Sequence, residues 1–193
     1  MALTRTPPSM WIDEGLRALS TAGPDAVRIE SLAQALGVTK GGFYGYFADR
    51  NALLEAMLDT WERESTDEIR DRVEREGGDA RTRIMRAGIR ISSDRLLPID
   101  LAVRDWARRD TAVAARLRRV DNRRIEYLRE LFGSFCPDAD EVEARSMLAF
   151  CLVIGNHFLA ADHGTRTRTE VLSRAAHLLL AGPHDGYQSD SVP

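Results

Sequence analysis

The sequence predicts an all-α protein of about nine helices, and three observations carry that expectation. From Ser9 onward apolar residues recur at helical spacing. No segment alternates apolar and polar residues as a half-buried strand would. The interruptions are short turn signals, and neither an internal repeat nor a low-complexity block separates them. With 193 residues and 44% apolar content the chain can bury a sizeable core, and 30% charged residues supply a surface for water.

The first helix is expected from Ser9 to about Thr21, with Trp11, Ile12, Leu16 and Leu19 on one side and "AGPD" (22–25) ending it. A second runs from about Glu30 to Leu36, turning Leu32, Ala33 and Leu36 inward. Gly37 then stands where a helix end calls for a left-handed residue. Thr39 is an N-cap for a third helix through Phe47. Asp49 caps a long fourth helix over 49–76, whose stripe is Leu53, Leu54, Met57, Leu58, Trp61, Ile69 and Val73, and "GGD" (77–79) breaks it. Helices over 80–92 and 98–109 follow, the latter with Pro98 in its first turn, where proline is tolerated. Asp110 caps a helix to about Phe135, "CPDAD" (136–140) is a turn, and helices over 141–161 and 169–180 complete the set. The tail "AGPHDGYQSDSVP" has the composition of a disordered terminus.

Net charge is −3, so nothing draws the whole molecule to a polyanion or an anionic membrane, and any such contact must be local. Basic charge is almost wholly arginine, Lys40 being the sole lysine. Cys136 and Cys151 are too few for a disulfide scaffold and lack zinc-ligand spacing. The start has no signal-peptide core, and no apolar run approaches the roughly 18 residues of a membrane span. A soluble, cytoplasmic protein with no membrane partner is expected.

Residues 36–47, "LGVTKGGFYGYF", are the unusual stretch. Two short helices joined by "LGVT" form a helix-turn-helix pattern. Leu32, Leu36, Val38, Phe43 and Phe47 can pack a small core, Ala33 permits close helix approach, and Gly37 permits the tight turn. In such a motif the third helix lies in the DNA major groove, which makes Thr39, Lys40, Gly41 and Gly42 the groove-facing set. Glycines at 41, 42 and 45 each cost about 1 kcal/mol against alanine in a helix interior. Close backbone approach to another molecule would offset that loss. Tyr44 and Tyr46 fit as phosphate hydrogen-bond donors, and Lys40 as a phosphate or guanine contact.

Residues 9–58, above all "IESLAQALGVTKGGFYGYFADRNALLEAML", resemble the DNA-binding domain of the TetR family of transcriptional regulators. Gly37, Val38, Thr39, Lys40, Gly41, Phe43, Tyr44, Phe47 and Arg50 carry the resemblance. It implies that Thr39, Lys40, Tyr44 and Tyr46 contact DNA and that Arg50 supports the backbone contacts. Gly42, where the family often has Ser or Thr, and Tyr46, where it often has His, bear on which operator is read. The resemblance also implies a DNA-binding domain over 1–50, a ligand-binding and dimerisation bundle over 51–181 and a disordered tail over 182–193.

Within 1–50, Arg5, Arg17, Arg28, Lys40 and Arg50 face Asp13, Glu14, Asp25, Glu30 and Asp49, so the head is neutral. A neutral head binds weakly alone, and two copies reading the half-sites of a palindrome would remedy that. The 141–161 segment is apolar on more than one face, through Met147, Leu148, Cys151, Ile154, Phe158 and Leu159, with Ala144 and Gly155 permitting close packing. The resemblance places a homodimer interface on the last two helices, which adds Leu178. It further implies an effector pocket in the bundle, for which Met85, Ile89, Leu101, Trp106 and Tyr127 are adaptable or aromatic candidates. The expectation is a homodimeric regulator, acting as a repressor, that holds operator DNA and is released by a small molecule. It is not an enzyme and needs no cofactor. The rival is an all-helical small-molecule-binding protein or enzyme whose N-terminal helices merely pack.

Other constellations have simpler accounts. The arginines between 116 and 129 are interleaved with Asp121, Glu126 and Glu130, as on a solvated helix face. His157, Asp162 and His163 lack the i, i+4 spacing of metal ligands on a helix. "GGFYG" follows no strand and so makes no dinucleotide loop, and "FGSFC" is no nucleophile elbow.

Overall fold

The computed structural model describes residues 6–181. Within them stand ten α-helices and no strand: α1 Pro8–Ala22, α2 Ile29–Ala35, α3 Lys40–Phe43, α4 Arg50–Ser65, α5 Asp67–Glu76, α6 Ala80–Ile91, α7 Leu96–Ala107, α8 Thr111–Gly133, α9 Ala139–Gly155 and α10 Arg168–Leu180. The tail expected at 182–193 lies outside the described residues. No helix among them is long and apolar enough to cross a membrane.

Side-chain caps place five of the ten helix starts. Asp49 accepts from the Ala52 N–H at 2.8 Å, and Asp110 accepts from Ala112 at 2.9 Å and Val113 at 3.2 Å. Asp79 and Asp138 do the same for α6 and α9. Thr167 and Glu170 make a reciprocal capping box on α10.

Three expected helices differ. The long fourth helix is broken at Thr66, which leaves helical geometry at φ −126° and ψ −81°. Its hydroxyl donates back to the Glu62 carbonyl at 2.7 Å, the kind of local bond that competes with helix continuation. Asp67 and Glu68 then open α5 as an acidic first turn. The third helix stops at Phe43 rather than Phe47, and a hydrogen-bonded turn carries the chain on, with the Phe47 N–H donating to the Phe43 carbonyl. The 141–161 helix starts at Ala139 and ends at Gly155, followed by a 3-10 turn over Asn156–Phe158. Phe158 and Leu159 therefore stand beyond the helix.

The described chain divides into two compact units. Among the described residues the first comprises 6–69 and 93–121, and in it α1 packs on α4 and α7. Trp11, Leu16, Leu19, Leu53, Met57, Trp61 and Val103 form its core. A buried polar link crosses that core. The Asp100 carboxylate, 1% exposed, accepts from Trp61 Nε1 at 3.3 Å and from Arg104 Nε at 2.8 Å. Arg104 also forks onto both Asp121 oxygens at 2.7 and 2.9 Å, tying α4, α7 and the middle of α8 together.

The second unit comprises, among the described residues, 70–92 and 122–181. In it α6 lies against α9, where a Cβ on Gly88 would sit 3.5 Å from Val153 Cγ2. Arg145 holds the end of α10 through the Leu179 and Ala181 carbonyls.

Removing one member of a buried ionic link costs about 3 kcal/mol or more, because its partner's charge stays behind. Asp100→Ala is therefore expected to lower the thermal midpoint by about 6–12 °C for a chain of this size. Calorimetry or circular dichroism melting checks it; an unchanged midpoint would show the link contributes no net stability.

Candidate nucleic-acid interface

The site begins with the turn. Gly37 has φ +67°, a conformation that side-chain-bearing residues rarely adopt. It lets the Val38 N–H reach the Ala33 carbonyl at 2.9 Å and the Gly37 N–H reach Gln34 at 3.1 Å, the paired bonds of a Schellman helix end. The chain then reverses into α3 with Val38 returned to the core.

Aromatic packing fixes α3 from beneath. Phe43 is fully buried, with Trp11 edge-on at 5.3 Å and Phe47 at 5.2 Å. The other side of α3 is left to solvent. Thr39, Lys40 and Gly41 are exposed and Gly42 is half-buried. Tyr44 is 60% exposed, its ring edge-on to Phe43 at 5.3 Å, and Tyr46 is 36% exposed. The structure thus leaves five of the seven expected residues exposed, Thr39, Lys40, Gly41, Tyr44 and Tyr46, with Gly42 half-buried among them. Thr39 holds the N-cap position in backbone conformation, but its hydroxyl caps nothing.

Arg50 is placed differently. Its Nε donates to the Val27 carbonyl at 2.6 Å and its terminal nitrogen donates to Pro24, so the guanidinium braces the turn between α1 and α2. That role is structural, set by two carbonyls left over where the chain turns. Lys40 also has an internal partner, which sequence reading did not anticipate: its ammonium lies 2.6 Å from Glu30 Oε1, across the motif on α2. That ammonium, with help from the backbone at Glu30, holds the Glu30 carboxyl below its ordinary range. The residues are ten positions apart, and no spacing rule would have paired them.

The glycines of α3 have no internal reason to be glycine. A Cβ on Gly41 would meet only Thr39 Oγ1 at 3.8 Å, and one on Gly42 would meet only Trp11 Cζ2 at 3.9 Å, both ordinary contacts. Neither has a positive φ. Their helix cost is therefore unrelieved inside the molecule. Gly45 lies past the end of α3, so no helix-interior cost attaches to it.

The residues expected to line an effector pocket are spread over the two units. Leu101 is half-buried and Trp106 buried in the first, beside Val103 and Val113. In the second, Tyr127 is buried and its hydroxyl donates to Glu74 at 2.8 Å. Met85 and Ile89 stand exposed on α6, Ile89 by 67%, instead of at core depth, because α6 turns Ile84 and Ala87 inward. A groove of about 450 Å³ in the first unit is lined by Met10, Arg17, Leu36, Arg95 and neighbours, and none of the five lines it. Of the expected interface residues, Met147, Leu148, Cys151, Phe158 and Leu178 are exposed and Ile154 half-buried. Among the described residues no group of three His, Cys, Asp or Glu side chains could hold a metal ion.

A short third helix facing solvent after a Gly turn gives the N-terminal helices the form of a helix-turn-helix head. Residues 12–57 match the model of the bacterial regulatory proteins of the tetR family. A transcriptional regulator from Rhodococcus sp. RHA1 has a similar structure, at TM-score 0.67 and 18% identity over 90% of this chain and 94% of its own. A TetR/AcrR-family regulator from Thermobifida fusca matches at 0.63 and 17%, over 94% and 98%. FadR from Bacillus subtilis, solved with stearoyl-CoA, matches at 0.65 and 14%, over 92% and 100%. At these identities the likeness is one of fold. No curated protein matches the chain in sequence.

Alanine fits at either α3 glycine, and it restricts the unfolded chain. Gly42→Ala is expected to raise stability by about 0.5 kcal/mol in denaturant unfolding. A loss of stability would show that the fold itself requires glycine there.

Proposed function

We propose that the protein regulates transcription as a homodimer, its two heads placing α3 in successive major grooves of a palindromic operator. The supporting observation is the Thr39–Gly42 edge, exposed at Thr39, Lys40 and Gly41 and lacking a Cβ at Gly41 and Gly42, where the fold would accept one. Small residues there let the helix backbone approach the duplex closely, and Thr39, Lys40, Tyr44 and Tyr46 supply hydrogen-bond donors around it. Arg50 serves the interface indirectly by bracing the α1–α2 turn.

The apolar surface of Met147, Leu148, Cys151, Phe158 and Leu178, with Ile154 beside it, supports a second copy packed on α9 and α10. Repression and release by a small molecule complete the reading. An effector acts by binding one conformation of the dimer more tightly than the other, so that the heads no longer match the half-site spacing. The stearoyl-CoA held by the FadR of like fold supports a body that receives a small molecule. Half-buried Leu101 and buried Trp106 are the candidate contacts in the first unit; buried Tyr127, with exposed Met85 and Ile89, are those in the second. The protein acts in the cytoplasm, without catalysis and without a cofactor.

The neutral head favours one rival, a helical small-molecule protein that never meets DNA. Gel shift with a duplex selected from a random library separates the two. Lys40→Ala is expected to weaken binding and to reduce the slope of log affinity against log salt by about 0.9 per head, one phosphate contact's worth. Equal affinity and slope would remove Lys40 from the interface.

A further inference from the structure

We propose that Glu30 is an affinity-setting residue that competes with DNA for the Lys40 ammonium. This rests on the regulator reading above. Each described cation of the head has a partner within the chain: Arg17 on Glu14, Arg28 on the Asp25 carbonyl, Lys40 on Glu30 and Arg50 on the Val27 and Pro24 carbonyls. Among them only Lys40 lies on the outward edge of α3, and it is the only lysine of the chain. Its 2.6 Å contact to Glu30 spans the two helices of the motif, and both side chains are more than half exposed. The pair therefore faces the side from which a duplex arrives.

A lysine ammonium is a compact charge on a flexible stem, so it can leave one anion for another without moving the helix. Binding DNA then means exchanging the Glu30 carboxylate for a phosphate oxygen or a guanine edge. Until the exchange, the approaching phosphates meet a neutralised lysine and an adjacent acid. Any duplex must break the pair, but only one that also satisfies the rest of the α3 edge regains what was lost. Glu30 thus lowers affinity for all DNA and leaves recognition to the complete set of contacts.

A simpler role for Glu30 is available, since an acid in the first turn of α2 favours that helix's N-terminal end. That role would leave Lys40 and Glu30 independent in DNA binding. A double-mutant cycle distinguishes them. Affinities of the full-length protein, Glu30→Gln, Lys40→Ala and the double variant are measured on one duplex, selected from a random library by the unsubstituted protein. Melting curves confirm that all four fold.

Glu30→Gln is expected to tighten binding about threefold to tenfold, two heads each releasing one exposed ion pair. In the Lys40→Ala background the same change is expected to alter affinity by less than about twofold. Equal tightening in both backgrounds would reduce Glu30 to general repulsion and overturn the proposal, as would no tightening in either. If the unsubstituted protein selects no duplex, the regulator reading falls, and this inference with it. A readout without DNA stands beside these. The single side-chain signal of protein labelled with 13C-lysine should shift on Glu30→Gln, and an unmoved signal would show that the pair is not formed.

Discussion

The contact of Trp11 with Phe43 holds the rest of the motif in place. α3 has a single helical turn and cannot be stable by its own hydrogen bonds, since a nucleus that short is unfavourable in water. What fixes it is one buried face, Phe43 against Trp11 and Phe47, together with the Gly37 turn that returns Val38 to the same core. Because that face uses Phe43 alone within α3, the neighbouring positions carry no packing duty. Thr39 to Gly42 are free to be chosen for what lies outside the molecule, which is why the edge can be rich in glycine.

The same economy shows in the charges. A head with equal numbers of acids and bases gains nothing from long-range attraction to DNA, and its described cations are tied to carbonyls and carboxylates of the chain. On the function proposed above, specific binding by such a head would rest on doubling the contacts through a partner. The apolar residues left exposed on α9, on α10 and just beyond α9 are the surface on which a second copy would be expected to rest. A buried ionic link at Asp100 and Arg104 joins α4 to α7 and α8, so the helix that follows the head is not free to swing independently of the unit it belongs to.

Much of this could be read before the structure. Gly37 announced its left-handed turn because no other residue takes that conformation as cheaply. Asp49 and Asp110 marked their helix starts by cap chemistry, and the apolar periods identified Trp11, Leu53, Met57 and Trp61 as core. The break at Thr66 was missed because the stripe continues through Ile69 and Val73. The run Ser65–Thr66–Asp67–Glu68, with its hydroxyls followed by acids, carried the signal of a new start. The end of α3 was misplaced because Tyr46 and Phe47 continue an aromatic pattern that a turn serves equally well. The outward placing of Met85 and Ile89 on α6 was not legible, because one helix face looks like another until its neighbours are known. The Lys40–Glu30 contact was beyond sequence reading, since it depends on how two helices cross.

The most direct test of the central claim is methylation protection of guanine N7 on a duplex selected by the protein. The account predicts two protected clusters in the major groove, related by two-fold symmetry and centred about one helical turn, or a multiple of it, apart. A single cluster, or no protected guanine in the selected duplex, would contradict it.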